Sequence, residues 1–308
     1  MDIRGKVAVV TGAASGIGRA TSLRLAEEGA AIAVADVDGA GGIETVELIE
    51  KKGGQGLFFH TDVSREADLH NLIDGAVTRL GGLDILYNNA GVGTPSPGFP
   101  EVSLAQWRRV FDINLTAAII ASWMAAPIMQ KRGGGAIVST SSMAGLYPHQ
   151  QDPIYGTTKA GVVQFTHSCA SWASQRKIRV NCVCPGLVDT ALVRRGLEEA
   201  ARAGRKMMIP SEIMSPYDIA EVVVDLIRDD SLFGCAIEVR PTGRQIVEPR
   251  PLLVTVAEAA KRSGHTEQSI YDRISSGELQ RKQGLWYVAD TPMIDWNAFL
   301  ETFGKAAV

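Results

Sequence analysis

The feature that most constrains this fold is a regular alternation of short apolar runs with longer amphipathic segments over residues 6 to about 240. Runs that are apolar almost throughout are typical of strands covered on both faces of a parallel sheet. Seven strands are predicted, at 6–11, 31–36, 57–62, 83–89, 136–141, 179–184 and 236–239. The segments 16–28, 65–80, 104–131, 154–175 and 216–228 have the apolar spacing of helices.

This alternation predicts an α/β fold: a doubly wound Rossmann sheet of about seven parallel strands with right-handed crossovers. The pattern stops near residue 240, where Arg240-Pro241-Thr242-Gly243 and Pro249-Arg250-Pro251 predict a linker. We therefore expect a Rossmann domain over 1–247 and a small, mostly helical module over 248–308. Helices of that module are predicted at 256–263, 267–276 and 295–303.

A glycine-rich turn, Thr11-Gly12-Ala13-Ala14-Ser15-Gly16-Ile17-Gly18, follows the first predicted strand and opens the first helix. Glycines let the backbone approach a pyrophosphate closely, and the helix N-terminus offers unpaired N–H groups to the anion. A dinucleotide site is therefore predicted at Gly12, Ser15, Gly16, Ile17 and Gly18.

Asp36 ends the second predicted strand, 18 residues after Gly18. A carboxylate there can accept hydrogen bonds from the adenosine ribose and would repel a 2′-phosphate. Because the glycine turn contains no Lys or Arg to offset that repulsion, NAD is predicted over NADP. The alternative, a solvated turn carboxylate beside Asp38, stays open.

Tyr155 and Lys159 lie four residues apart near the start of a predicted helix and therefore share one face. An ammonium group near the phenol is expected to lower the tyrosine pKa toward the working range of a general base. The Tyr-x-x-x-Lys pair alone is a common structural pattern. Ser142, just past the fifth predicted strand, adds a hydroxyl at the sheet edge where α/β ligands bind, and Asn114 lies in a neighbouring helix.

Over residues 3 to about 245, the chain resembles the short-chain dehydrogenase/reductase family. Its motifs occur in order as TGxxxGIG (11–18), Asp62-Val63, NNAG (88–91), Asn114, Ser142, YxxxK (155–159) and Pro185-Gly186. The segment NCVCPGLVDT (181–190) further resembles the branch that contains NAD-dependent 15-hydroxyprostaglandin dehydrogenase. The resemblance implies an oxidoreductase that transfers a hydride between NAD and a secondary alcohol or ketone.

The resemblance also implies a role for each matching residue. Tyr155 would exchange the substrate proton, Lys159 would lower its pKa and hold the nicotinamide ribose, and Ser142 would polarise the substrate oxygen. Asn114 would support a water that links Lys159 to solvent. The remaining cofactor contacts would be Asp62 and Val63 with the adenine, Asn89 with the adenosine side, and Val188 and Thr190 with the carboxamide. No metal is expected, since the five histidines lack ligand spacing.

Residues 191–215 fall where the family has its variable substrate loop, and they are both basic and apolar. They include Arg194, Arg195, Arg202, Arg205 and Lys206, with Met207, Met208 and Ile209. One interpretation is a loop that closes over an apolar substrate carrying an acid group. The other is a solvated amphipathic helix, whose charges Glu198 and Glu199 partly balance.

The C-terminal module resembles the small helix-turn-helix of excisionase-type proteins, on residues 255–260, Gly264, 269–271, 276–279 and 295–300. That resemblance implies that 268–275 would enter a DNA major groove. Charge argues against this, because residues 251–308 contain six basic and seven acidic side chains. Packing or oligomerisation is the favoured interpretation. A dinucleotide-sensing regulator with a DNA-binding tail is the alternative to an enzyme.

Bulk properties set the remaining expectations. The net charge of −3 gives no electrostatic argument for a nucleic-acid or membrane partner. Four cysteines without a CxxC pair predict free thiols in a reducing compartment, the cytoplasm. No leader or stretch near the roughly 18 apolar residues of a membrane span was expected. The family resemblance implies a homo-oligomer, a tetramer or dimer built on the long helices.

Overall fold

The computed structural model describes residues 1–202, 213–247, 253–276, 285–288 and 291–295. The chain divides into two compact units, Met1–Val247 and Glu248–Val308.

The first unit is built on one eight-stranded sheet with the strand order β3-β2-β1-β4-β5-β6-β7-β8. Its strands are β1 (Val7–Thr11), β2 (Ala31–Asp36), β3 (Gln55–His60), β4 (Ile85–Asn88), β5 (Gly135–Thr140), β6 (Ile178–Pro185), β7 (Ala236–Arg240) and β8 (Gly243–Val247). The first seven strands pair in parallel, and β8 pairs antiparallel with β7. Because the strand order reverses between β1 and β4, a crevice is expected at their carboxyl ends.

Helices cover both faces of this sheet. They are α1 (Gly16–Glu27), α2 (Gly39–Lys51), α3 (Glu66–Leu80), α4 (Leu104–Phe111), α5 (Ala117–Lys131), α6 (Pro153–Ser168), α7 (Trp172–Arg176), α8 (Ala191–Arg202) and α9 (Pro216–Arg228). Buried residues of α1, α2 and α9 form the core on one face, and those of α3 and α5 form it on the other. Strand residues such as Leu86 and Ile137 are fully buried, and each such side chain contributes about 1.5–3 kcal/mol to folding.

The eighth strand was not predicted, and the sheet has eight strands rather than about seven. Arg240 pairs with Gly243 across a tight turn at Pro241 and Thr242, the residues that predicted a linker. The residues of β8 are mostly exposed at the sheet edge, so the strand lacks the apolar signal of its neighbours. Helix α2 was also missed, and the helix predicted over 154–175 ends at Ser168 before α7.

Helices α4 and α5 are joined by a π-helical turn, Asp112–Thr116, into one continuous helix. The stretch Leu104–Lys131 is long and apolar enough, by length and composition alone, to cross a membrane. The expectation that no segment would approach a span was therefore wrong. Half of its most apolar window (50%) is buried inside the fold, as in a core helix.

The described part of the second unit contains β9 (Leu253–Thr255), α10 (Val256–Ser263), α11 (Glu267–Ser275), β10 (Leu285–Val288) and β11 (Thr291–Asp295). Gly264, at φ +79°, separates the two helices, and Thr266 caps α11 by accepting a hydrogen bond from the Ser269 N–H. The strands form an antiparallel sheet, β10-β11-β9, which the sequence did not predict. The helix predicted at 295–303 lies outside the described residues apart from Asp295, which ends β11.

Candidate active site

The glycine turn between β1 and α1 has a backbone that requires glycine. Gly12 and Gly16 have positive φ angles of +65° and +54°. A Cβ on Gly18 would overlap the Gly12 carbonyl oxygen and lie 2.7 Å from the Asn89 side-chain nitrogen. Ser15 is exposed at the N-cap of α1, and its side chain makes no capping hydrogen bond. This cradle fits a pyrophosphate, because the α1 N-terminus is open to an anion.

Asp36 lies beside this turn, at the carboxyl end of β2. Its carboxylate accepts hydrogen bonds from the Ala14 N–H (2.9 Å) and the Asp38 N–H (3.0 Å). The nearest basic side chain of α1, Arg19, pairs with Glu44 at 2.6 Å and donates to the Ala14 carbonyl. Asp36 therefore presents a negative charge at the place where an adenosine ribose is expected.

Two further polar residues border the expected adenine side. Asp62 accepts hydrogen bonds from Ser64 and from Arg109, whose guanidinium lies 3.2 Å away. Burial raises the pKa of Asp62, but these hydrogen bonds outweigh it and hold that pKa below its usual value. Asn89 donates to the carbonyls of Thr11 and Gly12 and so joins the glycine turn to the end of β4.

The N-terminus of α6 carries Tyr155 and Lys159 on one face. The Lys159 ammonium donates to the Thr140 carbonyl at 2.8 Å and lies 5.6 Å from the centroid of the Tyr155 ring. Ser142 begins a short 3-10 turn after β5, and its hydroxyl accepts a hydrogen bond from the Ala144 N–H. The Ser142 hydroxyl also acts on the Tyr155 phenol, whose pKa it lowers. The structure thus brings together the three residues predicted for proton transfer.

The pKa shifts in this group differ from those expected from the sequence. Burial raises the pKa of Tyr155, and the Ser142 hydroxyl only partly offsets it. Burial also lowers the pKa of Lys159 to about 8. The expectation that Lys159 would lower the tyrosine pKa was wrong for the protein alone, because burial outweighs it.

Asn114 lies in the π-helical turn, just outside the cleft that holds the other predicted residues. Its side-chain carbonyl accepts from the Val92 N–H, and its amide donates to the Val92 carbonyl, both at 2.8 Å. The amide also donates to Thr158 at 3.1 Å. The side chain therefore anchors the segment after β4, while the predicted link through water stays a prediction.

Val188 and Thr190 follow β6 and complete the cleft. Val188 is buried and bridges to Met214. The Thr190 hydroxyl accepts from the Val193 N–H at 3.3 Å, and its methyl group packs against Gly16. The first part of the predicted substrate loop, residues 191–202, forms helix α8. Residues 203–212 of that loop lie outside the described part.

One cleft of about 610 Å³ joins these residues, a size typical of ligand sites. The predicted residues that line it are Gly12, Ser15, Gly16, Ile17, Asp36, Asp62, Val63, Asn89, Ser142, Tyr155, Lys159, Val188 and Thr190. Gly18 lies directly beneath the turn. Sequence reasoning missed Pro95, Gln106 and Arg109 in this lining, since no family motif marks them.

Comparisons with known proteins identify the family. Residues 6–201 match the family described as short chain dehydrogenase. The chain belongs to the short chain dehydrogenase family. It is 39% identical to cis-4-hydroxycyclohexanecarboxylate dehydrogenase of Sinomonas cyclohexanicum over 229 residues, which are 74% of this chain and 91% of that protein. It is 34% identical to the NAD(+) 15-hydroxyprostaglandin dehydrogenase of Macaca fascicularis over 255 residues (78% and 92%).

A solved structure of 7α-hydroxysteroid dehydrogenase, complexed with NADH and 7-oxo glycochenodeoxycholic acid, superposes with a TM-score of 0.71. It is 30% identical, covering 79% of this chain and 96% of that one. The predicted family, the Rossmann fold and the similarity to 15-hydroxyprostaglandin dehydrogenase are confirmed. The protein is an oxidoreductase that transfers a hydride between a nicotinamide cofactor and a secondary alcohol or ketone. The resemblance of the second unit to excisionase-type proteins has no support in these similarities and stays a prediction.

Proposed function

We propose that this enzyme oxidises a secondary alcohol with NAD, with Tyr155 as the general acid or base. The observation that carries the proposal is that Ser142, Tyr155 and Lys159 line the same cleft as the glycine turn and Asp36. A substrate oxygen between the Ser142 and Tyr155 hydroxyls would then lie within reach of a nicotinamide ring held near Val188 and Thr190.

Each residue has a distinct part in the proton transfer. A bound nicotinamide cofactor would supply the hydride acceptor for the carbinol carbon in oxidation and the hydride donor in reduction. Ser142 donates a hydrogen bond to the substrate oxygen as its charge changes. Tyr155 takes the hydroxyl proton in oxidation and gives one in reduction, and the Lys159 charge favours the phenolate. Since burial raises the pKa of Tyr155, neutral pH favours the protonated phenol that reduction needs, and oxidation should accelerate as pH rises.

Tyr155→Phe tests this assignment by removing only the hydroxyl. General acid–base groups contribute about 10²–10⁴-fold to rate, so turnover should fall by about that factor while NADH affinity, measured by fluorescence titration, stays within about twofold of the parent. Tyr217→Phe, at an exposed tyrosine of α9, is the control. Parent-level turnover in Tyr155→Phe would contradict the proposal.

The choice of NAD over NADP rests on Asp36. Asp36→Asn keeps a hydrogen-bond acceptor but removes the charge that would repel a 2′-phosphate. The ratio of kcat/KM for NAD to that for NADP should fall about tenfold, the equivalent of about 1.4 kcal/mol. Asp38→Asn is the matched control, because Asp38 caps α2 through the Gly41 N–H and does not line the cleft. An unchanged ratio in Asp36→Asn would remove Asp36 as the selector.

The proposed substrate is a cyclic or other apolar secondary alcohol that carries an acid group. Arg195 lines the cleft from α8 and donates to the Ala191 carbonyl of its own helix, whereas Arg194 pairs with Asp189 at 2.6 Å. One similar protein is named for a hydroxycyclohexanecarboxylate, and the similar 7α-hydroxysteroid dehydrogenase is complexed with 7-oxo glycochenodeoxycholic acid. Kinetics with cyclohexanol and 4-hydroxycyclohexanecarboxylate would test this. Equal kcat/KM for both would leave the solvated-helix interpretation.

We also propose a homo-oligomer, a tetramer or dimer, that works in the cytoplasm. The free thiols of Cys169, Cys182 and Cys184 suit a reducing compartment. On α5, Trp123 is 65% exposed, and large exposed aromatic side chains are enriched at protein interfaces. Light scattering should give a mass above that of one chain, and Trp123→Glu should lower it.

For the second unit we propose packing or oligomerisation, with DNA binding as the alternative. Helix α11 exposes Gln268, Tyr271 and Asp272 and carries one basic residue, the partly buried Arg273, which is little positive charge for phosphate binding. A gel-shift titration of the full chain with duplex DNA at several salt concentrations separates the two. Tight, salt-dependent binding would favour DNA and revive the alternative of a dinucleotide-sensing regulator.

A further inference from the structure

The segment 91–95, between β4 and α4, forms one wall of the cleft. Gly91, Val92, Gly93 and Pro95 all line it, and none of these residues belongs to a helix or strand. Such a segment needs side-chain partners to hold its backbone polar groups. Asn114 holds Val92 from the π-helical turn. Thr94 is held from the other side by Asp152.

Asp152 connects this wall to the helix that carries Tyr155. Its carboxylate accepts from the Thr94 N–H at 2.9 Å and from the Thr94 hydroxyl at 2.6 Å. It also accepts from the backbone N–H of Tyr155 at 3.0 Å, as the N-cap of α6. One half-buried carboxylate thus fixes both the cleft wall and the first turn of the helix.

The same carboxylate places a negative charge at the first turn of α6, against the Tyr155 backbone. That charge disfavours phenolate and adds to the burial that raises the Tyr155 pKa. Lys159 on the same helix and His149, at 5.6 and 6.2 Å from the ring centroid, face the Tyr155 ring. Neighbouring elements also carry titratable or charged groups: Cys182 and Cys184 in β6, which act on Lys159, Arg109 of α4 in the cleft lining, and Glu238 in β7, which accepts from Tyr147. Among the groups that perturb the phenol, Asp152 supplies the negative charge.

We propose that Asp152 is a positioning residue with an electrostatic role: it joins the 91–95 wall to the start of α6 and places a negative charge at the first turn of the helix that carries Tyr155. This inference rests on the proposed role of Tyr155. Asp152 does not itself exchange a proton with the substrate. Its carboxylate holds Thr94 and the Tyr155 backbone in place and keeps the phenol protonated to higher pH than burial alone would.

The test measures ionisation of Tyr155 directly, without cofactor or substrate. Tyrosinate absorbance is titrated with pH in the parent, Asp152→Asn, Asp152→Ser and Thr94→Val. Each protein is compared with a counterpart that also carries Tyr155→Phe, and the difference between the two titrations gives the midpoint of Tyr155. Asn and Ser both cap helices well and are uncharged, so both should lower the Tyr155 midpoint by about 0.5 pH units or more. Thr94→Val removes one clamp bond but keeps the charge, and its midpoint should match the parent.

A second readout is the pH profile of NAD-dependent oxidation of 4-hydroxycyclohexanecarboxylate. Its rising limb should move to lower pH in Asp152→Asn and stay in place in Thr94→Val, whose KM should rise two- to fivefold as the wall loosens. A parent midpoint in both uncharged variants would overturn the inference, as would an equal shift in Thr94→Val. The proposed function fails separately, through a Tyr155→Phe enzyme that still turns over.

Discussion

A buried cation lies at each end of strand β6, and the two are held differently. Arg179, at the start of the strand, donates to the carbonyls of Leu226 (2.7 Å) and Ile227 (2.6 Å) and lies 3.1 Å from Asp230. Lys159, on α6, donates to the carbonyl of Thr140, which pairs with Val183 near the other end of β6, and to no other group among the described residues. Both are almost fully buried, at 6% and 3% exposure.

The difference separates a structural cation from a functional one. Arg179 closes the end of α9, where helix carbonyls have no partner of their own. Burial lowers the pKa of both cations, which indicates a cost in stability. Arg179 offsets that cost with three partners, whereas Lys159 has donors left for a ligand. Buried ionisable groups with a perturbed pKa and open hydrogen-bonding capacity are typical of active sites.

The largest effect that tests this comparison is expected in Lys159→Met. Turnover should fall by about 10³-fold, because the charge that favours phenolate is lost. The free energy of unfolding at pH 7 should rise by up to roughly 3 kcal/mol, since the cost of a buried ammonium disappears. Steady-state kinetics and urea denaturation measure the two. A large loss of stability would place Lys159 with the structural residues.

Arg179→Met should behave in the opposite way. The Leu226 carbonyl at the end of α9 would lose its donor, which costs about 1–3 kcal/mol, whereas Ile227 keeps a hydrogen bond from the Met1 amino group. The same denaturation assay should show this loss, with kcat and KM near the parent values. A drop in kcat without a loss of stability would break the contrast.

The smallest expected effect is a pH dependence of stability. A lysine in the unfolded chain keeps its proton to about pH 10.5, whereas folded Lys159 loses it near pH 8. Between these values the unfolded state binds more protons, so Lys159 makes stability rise with pH by at most about 1.4 kcal/mol per unit. Unfolding of the parent and Lys159→Met at several pH values should reveal this as a difference in slope. Identical slopes would mean that folded Lys159 keeps an ordinary pKa.

The sequence predicted the parallel sheet well because its strands carry their own signal. Leu86 and Ile137 belong to runs buried on both faces, and such runs are apolar in any member of this fold class. Strand β8 has no such signal, since Arg244 and Gln245 at the sheet edge face solvent. Its turn residues therefore predict a linker from sequence alone.

Site residues were predictable from the sequence where the backbone geometry allows only one residue type. Gly18 must be glycine because another atom occupies the space of its Cβ. The Tyr155 pKa depends instead on burial by residues far apart in sequence. The clamp between Asp152 and Thr94 likewise joins positions 58 residues apart, and no spacing rule marks it.

The π-helical turn at Asp112–Thr116 contains one residue more than an α-helical turn would. A residue removed elsewhere in the helix would turn everything beyond it by about 100°, and the buried alanines of α5, among them Ala121 and Ala125, would rotate off the sheet. A residue removed within the π-helical turn restores α-helical pairing and leaves those alanines facing the sheet. Homologous helices should therefore tolerate a one-residue deletion at this turn better than one in the middle of α5.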